Sequence, residues 1–392
     1  MMRRTEPVLI VTAILLIAAG CLAIYSAAGM KYLLRQLVFL PVGTLTLIAA
    51  LFCPRRIIYG LTEALYALSL FLLVAVLIFG TGPGARRWFA IGSFTFQPSE
   101  FAKLSTVLML AKYLSYKREI KFDFRSLAGP VMIVILPTLL ILAEPDLSTA
   151  LLFLAAFAAM LYWQGLKPLY ILLLYIPLLS FAAGFSLYLW VPFFAILAII
   201  VFIRMRVLRA IAALGVSSVF GLLSPFVLSL LKGYQRQRIL SFFAPWFDPH
   251  GLGWNAIQSQ IAIGSGRIFG KGYLQGTQKR LGFLPNRHTD FIFSCIAEES
   301  GLIGSLFLLV LFNILIYRIL RVAYHSRDQN GALLCIGFAA TLGYQTFVNI
   351  GMLLGLLPIT GITLPFISYG GSSFVVSMAM LGLVLNVATR PE

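Results

Sequence analysis

Charge is scarce in this chain. Only 11% of its 392 residues are charged, 60% are hydrophobic, and there are 13 acidic residues and three histidines. A soluble domain cannot hide that much apolar surface, so the composition excludes a soluble fold and defines an integral membrane protein. The four cysteines, Cys21, Cys53, Cys295 and Cys335, show no paired spacing. They read as small apolar residues in helices rather than as metal or redox groups. No G-x-x-x-x-G-K-[ST] register is present, which argues against a nucleotide loop. There is no soluble domain, internal repeat or low-complexity tract.

What the chain does have is long apolar runs, unbroken by charge and not alternating. These are helices, not strands of an outer-membrane barrel. The expected spans are about 7–28, 32–52, 57–80, 98–116, 128–143, 147–164, 168–185, 188–204, 207–231, 300–320, 332–356 and 371–389. The first is long for a signal-peptide core and reads as a retained span. The fold class is therefore an all-α polytopic membrane protein of about twelve transmembrane helices. A large extracytoplasmic loop between residues 232 and 299 belongs to the single membrane domain, 1–392.

The net charge of +17 would suggest nucleic acid in a soluble protein. Here it follows the positive-inside rule, and no nucleic acid is expected. Arg3, Arg4, Arg55, Arg56, Lys117, Arg118, Lys121, Arg125, Arg204, Arg206, Arg209, Arg318, Arg321 and Arg327 fall on one side if both termini are cytoplasmic. Two polar segments then face outward, residues 81–98 and the long loop. Between Lys232 and Ala297 the loop holds eight Lys or Arg against Asp248 and Asp290. Long loops often escape the charge rule; an anionic partner such as a phosphate-bearing lipid is the functional alternative.

In the loop, residues 254–263 read as a short interfacial helix with Trp254, Ile257 and Ile261 on one face, followed by a glycine-rich run. "PNRHTDFIF" comes next. Burial at the apolar boundary raises the pKa of Asp290, while Arg287 and His288 favour the ionised form. That balance suits a general base. Equally, Thr289 or Asp290 could cap the following helix. In "RRWFAIGSFTFQPSEFAKLS", Pro98 and Ser99 start a helix that puts Glu100 and Lys103 on one face, within a span. They are a self-contained pair or the lining of a cavity. Arg86 and Arg87 are interface anchors or phosphate ligands. In "AEPDLSTA", Asp146 caps the next helix or joins Glu144 in holding a divalent cation. Near the end, "LPITGITLPFISYGGSS" breaks the helical pattern, as backbone lining a cavity does. Ser368, Tyr369, Gly370, Gly371, Ser372 and Ser373 offer hydroxyls and open backbone to a polar ligand.

Together with "EPDLSTA", "YQRQRI", "GKGYLQGTQ" and "FLPNRHTDFIFSCIAEESG", these segments resemble, in order and over nearly the whole chain, the SEDS proteins of shape, elongation, division and sporulation. The "QGTQ" and "FLPNRHTDFIF" motifs are more similar to the elongation type, RodA-like, than to the FtsW-like division type. The resemblance implies a peptidoglycan glycosyltransferase in the bacterial cytoplasmic (inner) membrane. It would polymerise undecaprenyl-pyrophosphate-linked lipid II into glycan, beside a class B penicillin-binding protein that cross-links the product. It implies Asp290 as the essential acid. Glu100, Lys103, Asp146, Arg287, His288 and the 368–372 segment become substrate-binding, with Arg86, Arg87, Lys103, Arg287 or a divalent cation (Mg or Mn) for the pyrophosphate. The family pattern has ten spans, seven before the loop; about nine are read here. The rival readings are a lipid-linked precursor flippase and a non-catalytic scaffold.

Overall fold

A helix rises 1.5 Å per residue, so an apolar run of about 20 residues spans the ~30 Å hydrocarbon layer with every backbone group satisfied internally. That rule organises the molecule. The computed structural model describes residues 6–82, 86–91, 94–117, 120, 122–230, 252–280, 282, 284 and 286–389. The segment 234–239, Asp248, the first part of the long loop, and Arg3, Arg4, Arg118 and Lys121 lie outside them.

The helices are α1 (Pro7–Ala28), α2 (Met30–Phe52), α3 (Arg55–Phe79), α4 (Pro98–Ser115), α5 (Phe124–Ala143), α6 (Leu147–Trp163), α7 (Pro168–Ala183), α8 (Leu187–Arg204) and α9 (Val207–Leu230). Beyond the undescribed segment come α10 (Leu252–Ser265), the single turn α11 (Thr277–Arg280), α12 (Ile292–His325), α13 (Gln329–Leu353) and α14 (Gly371–Thr389). Among the described residues, nine helices are long and apolar enough to cross a membrane. Three more complete the expected twelve: α4, which carries Glu100, Lys103 and Lys112, and the shorter α6 and α7. This is a multi-pass membrane protein. Large apolar side chains stay exposed on its perimeter, including Phe71, Phe79, Ile203 and Leu222, where lipid rather than water is the solvent.

Three local features differ from the sequence expectation. Residues 81–98 contain a small antiparallel hairpin, β1 (Phe89–Ile91) and β2 (Phe94–Phe96), with Phe89 opposite Phe96. The tenth span starts near residue 300 as expected, but a helical segment over 292–300 precedes it, and the two are broken apart at Gly301 (φ 67°, ψ −161°). The break is a packing requirement. A Cβ at Gly301 would lie 2.3 Å from the backbone nitrogen of Gly270, and one at Gly270 (φ 80°) would lie 2.1 Å from the carbonyl oxygen of Glu299. Two backbones meet there with no room for side chains. Finally, α10 turns Trp254 and Ile261 away from the bundle and buries Gln258, Ser259 and Ala262 instead. The Ser259 hydroxyl lies 2.7 Å from that of Ser294 and donates to the Leu353 carbonyl at 3.0 Å.

One apolar core unites α1–α6 with α10 and α12–α14. α13 and α14 are its most buried spans. Helices α7–α9 pack mainly on one another around Ile176, Leu197, Val201 and Ala210, a small separate cluster. The bundle has two polar ends. At one, Arg55 reaches Asp328, Asn386 and the Val387 carbonyl, while the Asn386 amide donates to the carbonyls of Ala50, Leu51 and Cys53. At the other lie the hairpin, the glycine-rich loop and the broken segment 354–370.

Candidate active site

Asp290 is positioned by its neighbours on both sides. Phe291, Ile292 and Phe293 are buried and draw the chain into the core, leaving Asp290 half-buried at the boundary. The turn before it closes on Asn286, whose carbonyl accepts from the Thr289 nitrogen (3.0 Å) and hydroxyl (3.1 Å). The N-cap position of the helix is Phe291, which makes no side-chain cap bond, so neither Thr289 nor Asp290 occupies that position. Three successive carbonyls are then held from the far end of the chain. His288 O accepts from the Tyr369 nitrogen (2.9 Å), Thr289 O from the Ser368 hydroxyl (2.7 Å), and Asp290 O from Asn349 Nδ2 (3.1 Å). Ser368 Oγ also accepts from the Leu364 nitrogen at 2.8 Å. The Asp290 carboxylate lies against Gly361, where a Cβ would stand 3.3 Å from Oδ2.

Around this centre is an aromatic cluster. The rings of His288 and Tyr32 are 4.3 Å apart, and each lies 5.5 Å from Tyr369. Burial, reinforced by the charge of Arg287, holds the His288 pKa below its ordinary value, so the imidazole is neutral at pH 7 and above. The α2 face that bears Tyr32 continues through Gln36, whose Oε1 accepts from the Gly370 nitrogen at 3.3 Å, to Phe39, packed on Gly371.

Other expected residues form a second polar centre on α3–α6. Lys103 Nζ and Glu100 Oε2 pair at 2.6 Å, both buried. Arg87 donates to the carbonyls of Glu144 (Nε, 2.9 Å) and Pro145, and lies 3.8 Å from Asp146. Asp146 caps α6 by accepting from the Thr149 nitrogen at 3.2 Å. Arg86 donates to the carbonyls of Leu77 and Ile78 at the end of α3. Ser372 links the two centres: its hydroxyl donates to Thr95 O (3.1 Å) on β2 and accepts from the Gln97 nitrogen (3.4 Å) at the start of α4. The expected site residues are therefore sorted into two groups, joined through the 368–372 segment.

Beside Asp146, Glu144 is 1% exposed and neither of its carboxyl oxygens has a hydrogen-bond partner. Burial, with Asp146 adding to it against the opposing Arg87, pushes its pKa up to about 8. Asp146 already faces Arg87 and caps α6, which leaves Glu144 as the carboxyl without a partner at this turn. Among the described residues no group of three or more His, Cys, Asp or Glu side chains could hold a metal ion.

Sequence reasoning missed Asn349, Gln36 and Tyr32. Asn349 is wholly buried in an apolar span, and that is the signal that could have found it: a polar amide at such a place needs a partner. It also missed the anchor of the glycine-rich loop. Buried Glu298 accepts from Lys271 Nζ (2.7 Å) and from the Thr277 nitrogen and hydroxyl (2.8 Å each), and Glu299 accepts from the Ser26 hydroxyl.

A helix bundle whose one end carries a half-buried carboxylate, a broken backbone segment and a buried ion pair defines a polytopic membrane protein with a polar site at the bilayer boundary. The chain belongs to the FtsW/RodA/SpoVE family of cell cycle proteins, whose profile matches residues 6–191 and 187–392. The chain is 36% identical over 389 residues to peptidoglycan glycosyltransferase MrdB of Escherichia coli (strain K12), covering 98% of this chain and 94% of the relative. Its structure is similar to a chain from work on the structural coordination of polymerization and crosslinking by a peptidoglycan synthase complex (34% identity, TM-score 0.74, 97% and 96% of the two chains). It is also similar to the rod shape determining protein RodA of Thermus thermophilus (30% identity, TM-score 0.64, 97% and 95%).

Proposed function

We propose that this chain is a peptidoglycan glycosyltransferase of the elongation type, polymerising lipid II into β-1,4-linked glycan at the outer face of the bacterial inner membrane. The observation that carries the site assignment is the placement of Asp290. Its backbone is held by Tyr369, Ser368 and Asn349 while its carboxylate faces the broken segment at Gly361. A fixed carboxylate at the edge of the apolar layer suits a base that receives one proton from a lipid-borne substrate. In the reaction, Asp290 takes the proton from the acceptor sugar hydroxyl. That oxygen bonds to the anomeric carbon of the donor, and the bond from that carbon to the lipid pyrophosphate breaks. A single displacement inverts the α-linked donor to a β-linked product. The developing negative charge on the leaving group needs cations, from side chains of the chain or from a divalent metal.

The orientation follows from charge. Arg55, Arg56, Arg204, Arg206, Arg209, Arg318, Arg321 and Arg327 lie at the ends of spans away from the site, which supports a cytoplasmic reading for that end and for both termini. The long loop is then extracytoplasmic. The synthase complex found for the similar chain supports a class B penicillin-binding protein as partner.

The flippase reading draws on one observation, the buried Glu100–Lys103 pair beside broken backbone. A transporter needs binding groups open to both sides, whereas the groups described gather at one end. Incubating the purified protein with labelled lipid II in detergent tests this: a polymerase makes glycan there, and a flippase or scaffold makes none.

A further inference from the structure

A pyrophosphate leaving group needs a cation, and most of the cations singled out in the sequence are committed elsewhere. Arg86 caps α3, Arg87 is engaged by the α5–α6 turn, Lys103 is paired with Glu100, and Lys271 with Glu298. Each sits among acceptors that a phosphate would have to displace.

Arg35 differs. It is exposed, and its guanidinium carbon stands 6.0 Å from the centroid of the Tyr32 ring. It makes no hydrogen bond or ion pair among the described residues. That same Tyr32 ring contacts His288 and Tyr369, which are tied together by the Tyr369 nitrogen on the His288 carbonyl. Residues 32, 35, 36 and 39 share one face of α2, and Gln36 and Phe39 on that face touch Gly370 and Gly371. The packing that holds Asp290 in place thus also holds the platform on which Arg35 rests.

The depth is right for a lipid headgroup. Arg35 is the sixth residue of α2, roughly 8 Å along the axis from the helix start. From there a long basic side chain reaches the polar layer where phosphates of membrane lipids lie. Arginine suits the task because it can stack on an aromatic face and still present its fork to two phosphate oxygens.

We propose that Arg35, stacked on Tyr32 beside His288 and Tyr369, is the binding subsite for the pyrophosphate of the lipid-linked substrate. The proposal rests on the glycosyltransferase reading for the identity of the ligand. The shared chemistry is a lipid-borne phosphate, which a membrane phospholipid also offers, so the test separates the two sources.

The full-length protein is placed in nanodiscs of phosphatidylcholine, and its affinity for undecaprenyl pyrophosphate is measured for wild type, Arg35→Ala, Arg35→Lys and Asp290→Asn. A second set in phosphatidylglycerol discs reports competition by an anionic phospholipid. Loss of a charged hydrogen-bonding partner should weaken binding about 10- to 100-fold in Arg35→Ala. Lysine should recover part of that loss, and Asp290→Asn should bind as wild type. Weak competition by phosphatidylglycerol supports the pyrophosphate as ligand. Equal affinity of Arg35→Ala and wild type, or no binding by wild type, overturns the subsite. So does an Arg35 effect confined to phosphatidylglycerol. Glycan synthesis by wild type is followed in parallel. If wild type makes glycan but Arg35→Ala binds normally, the subsite alone fails. Arg35-dependent binding without glycan leaves the subsite standing and sinks the glycosyltransferase reading.

Discussion

The side-chain amide of Asn349 donates to the backbone carbonyl of Asp290 at 3.1 Å and to that of Ile362 at 2.7 Å. One buried amide near the end of α13 thus joins the start of α12 to the broken segment before α14. Asn349→Leu keeps the approximate size and removes the donor. Two carbonyls then lose a partner, at a cost of about 1–3 kcal/mol each if they stay buried. The expected outcome is a lower melting temperature and a kcat reduced at least about tenfold, with KM little changed. Steady-state polymerisation by the folded fraction checks it. Wild-type kcat in that fraction would reduce Asn349 to a purely structural role.

Gly361 has a positive φ of 78°, and an added Cβ would stand 3.3 Å from Asp290 Oδ2. Gly361→Ala therefore strains the backbone by roughly 1–2 kcal/mol and presses on the carboxylate. Activity should fall more than stability does. Thermal unfolding and the polymerisation rate measured on the same preparation separate the two effects.

Glu100 and Lys103 pair at 2.6 Å inside the bundle. Removing either partner strands a buried charge, at about 3–5 kcal/mol. Glu100→Gln and Lys103→Met should each destabilise strongly, and the double substitution should cost less than the two single ones added together. Additive losses in a thermal-melt cycle would show that the pair is not coupled.

Glu144 supplies a pH dependence. Its pKa in the folded protein, about 8, lies above the ordinary carboxyl value of 4.5. The native state therefore binds more protons than the unfolded state between those values, and this contribution to stability is fully present below pH 4.5 and lost as pH rises towards 8. Glu144→Gln removes the dependence. Its melting temperature should exceed that of wild type at pH 8, and the difference should shrink at pH 5. A constant difference across that range would contradict the assignment.

The spans were legible because the bilayer imposes their length: α1 and α14 begin and end where the apolar runs do, and the others shift by a few residues at most, α12 excepted. There the apolar run marked the part after Gly301, and the helical segment 292–300 before it went unread, because the break comes from the contact of Gly301 with Gly270, a partner thirty-one positions away that no periodicity reveals. The hairpin was missed since strands of three residues, FAI and FTF, carry too little pattern. Asp290 and the 368–372 motif were visible as residue types. Their connection was not, because backbone carbonyls make it and every residue has one. The same blindness explains Arg86 and Arg87, whose acceptors are carbonyls at helix ends. The expected N-cap position moved by one or two residues, to Phe291, because the turn closing on Asn286 runs through Thr289 and Phe291 before the helix starts.

The most direct test concerns Asp290 itself. Purified wild type and Asp290→Asn, matched for melting temperature and for undecaprenyl pyrophosphate affinity, are given labelled lipid II, and glycan formation is followed in time. Loss of the base should slow polymerisation by about 10²- to 10⁴-fold with substrate binding retained. Glycan formed by Asp290→Asn at the wild-type rate would contradict the account.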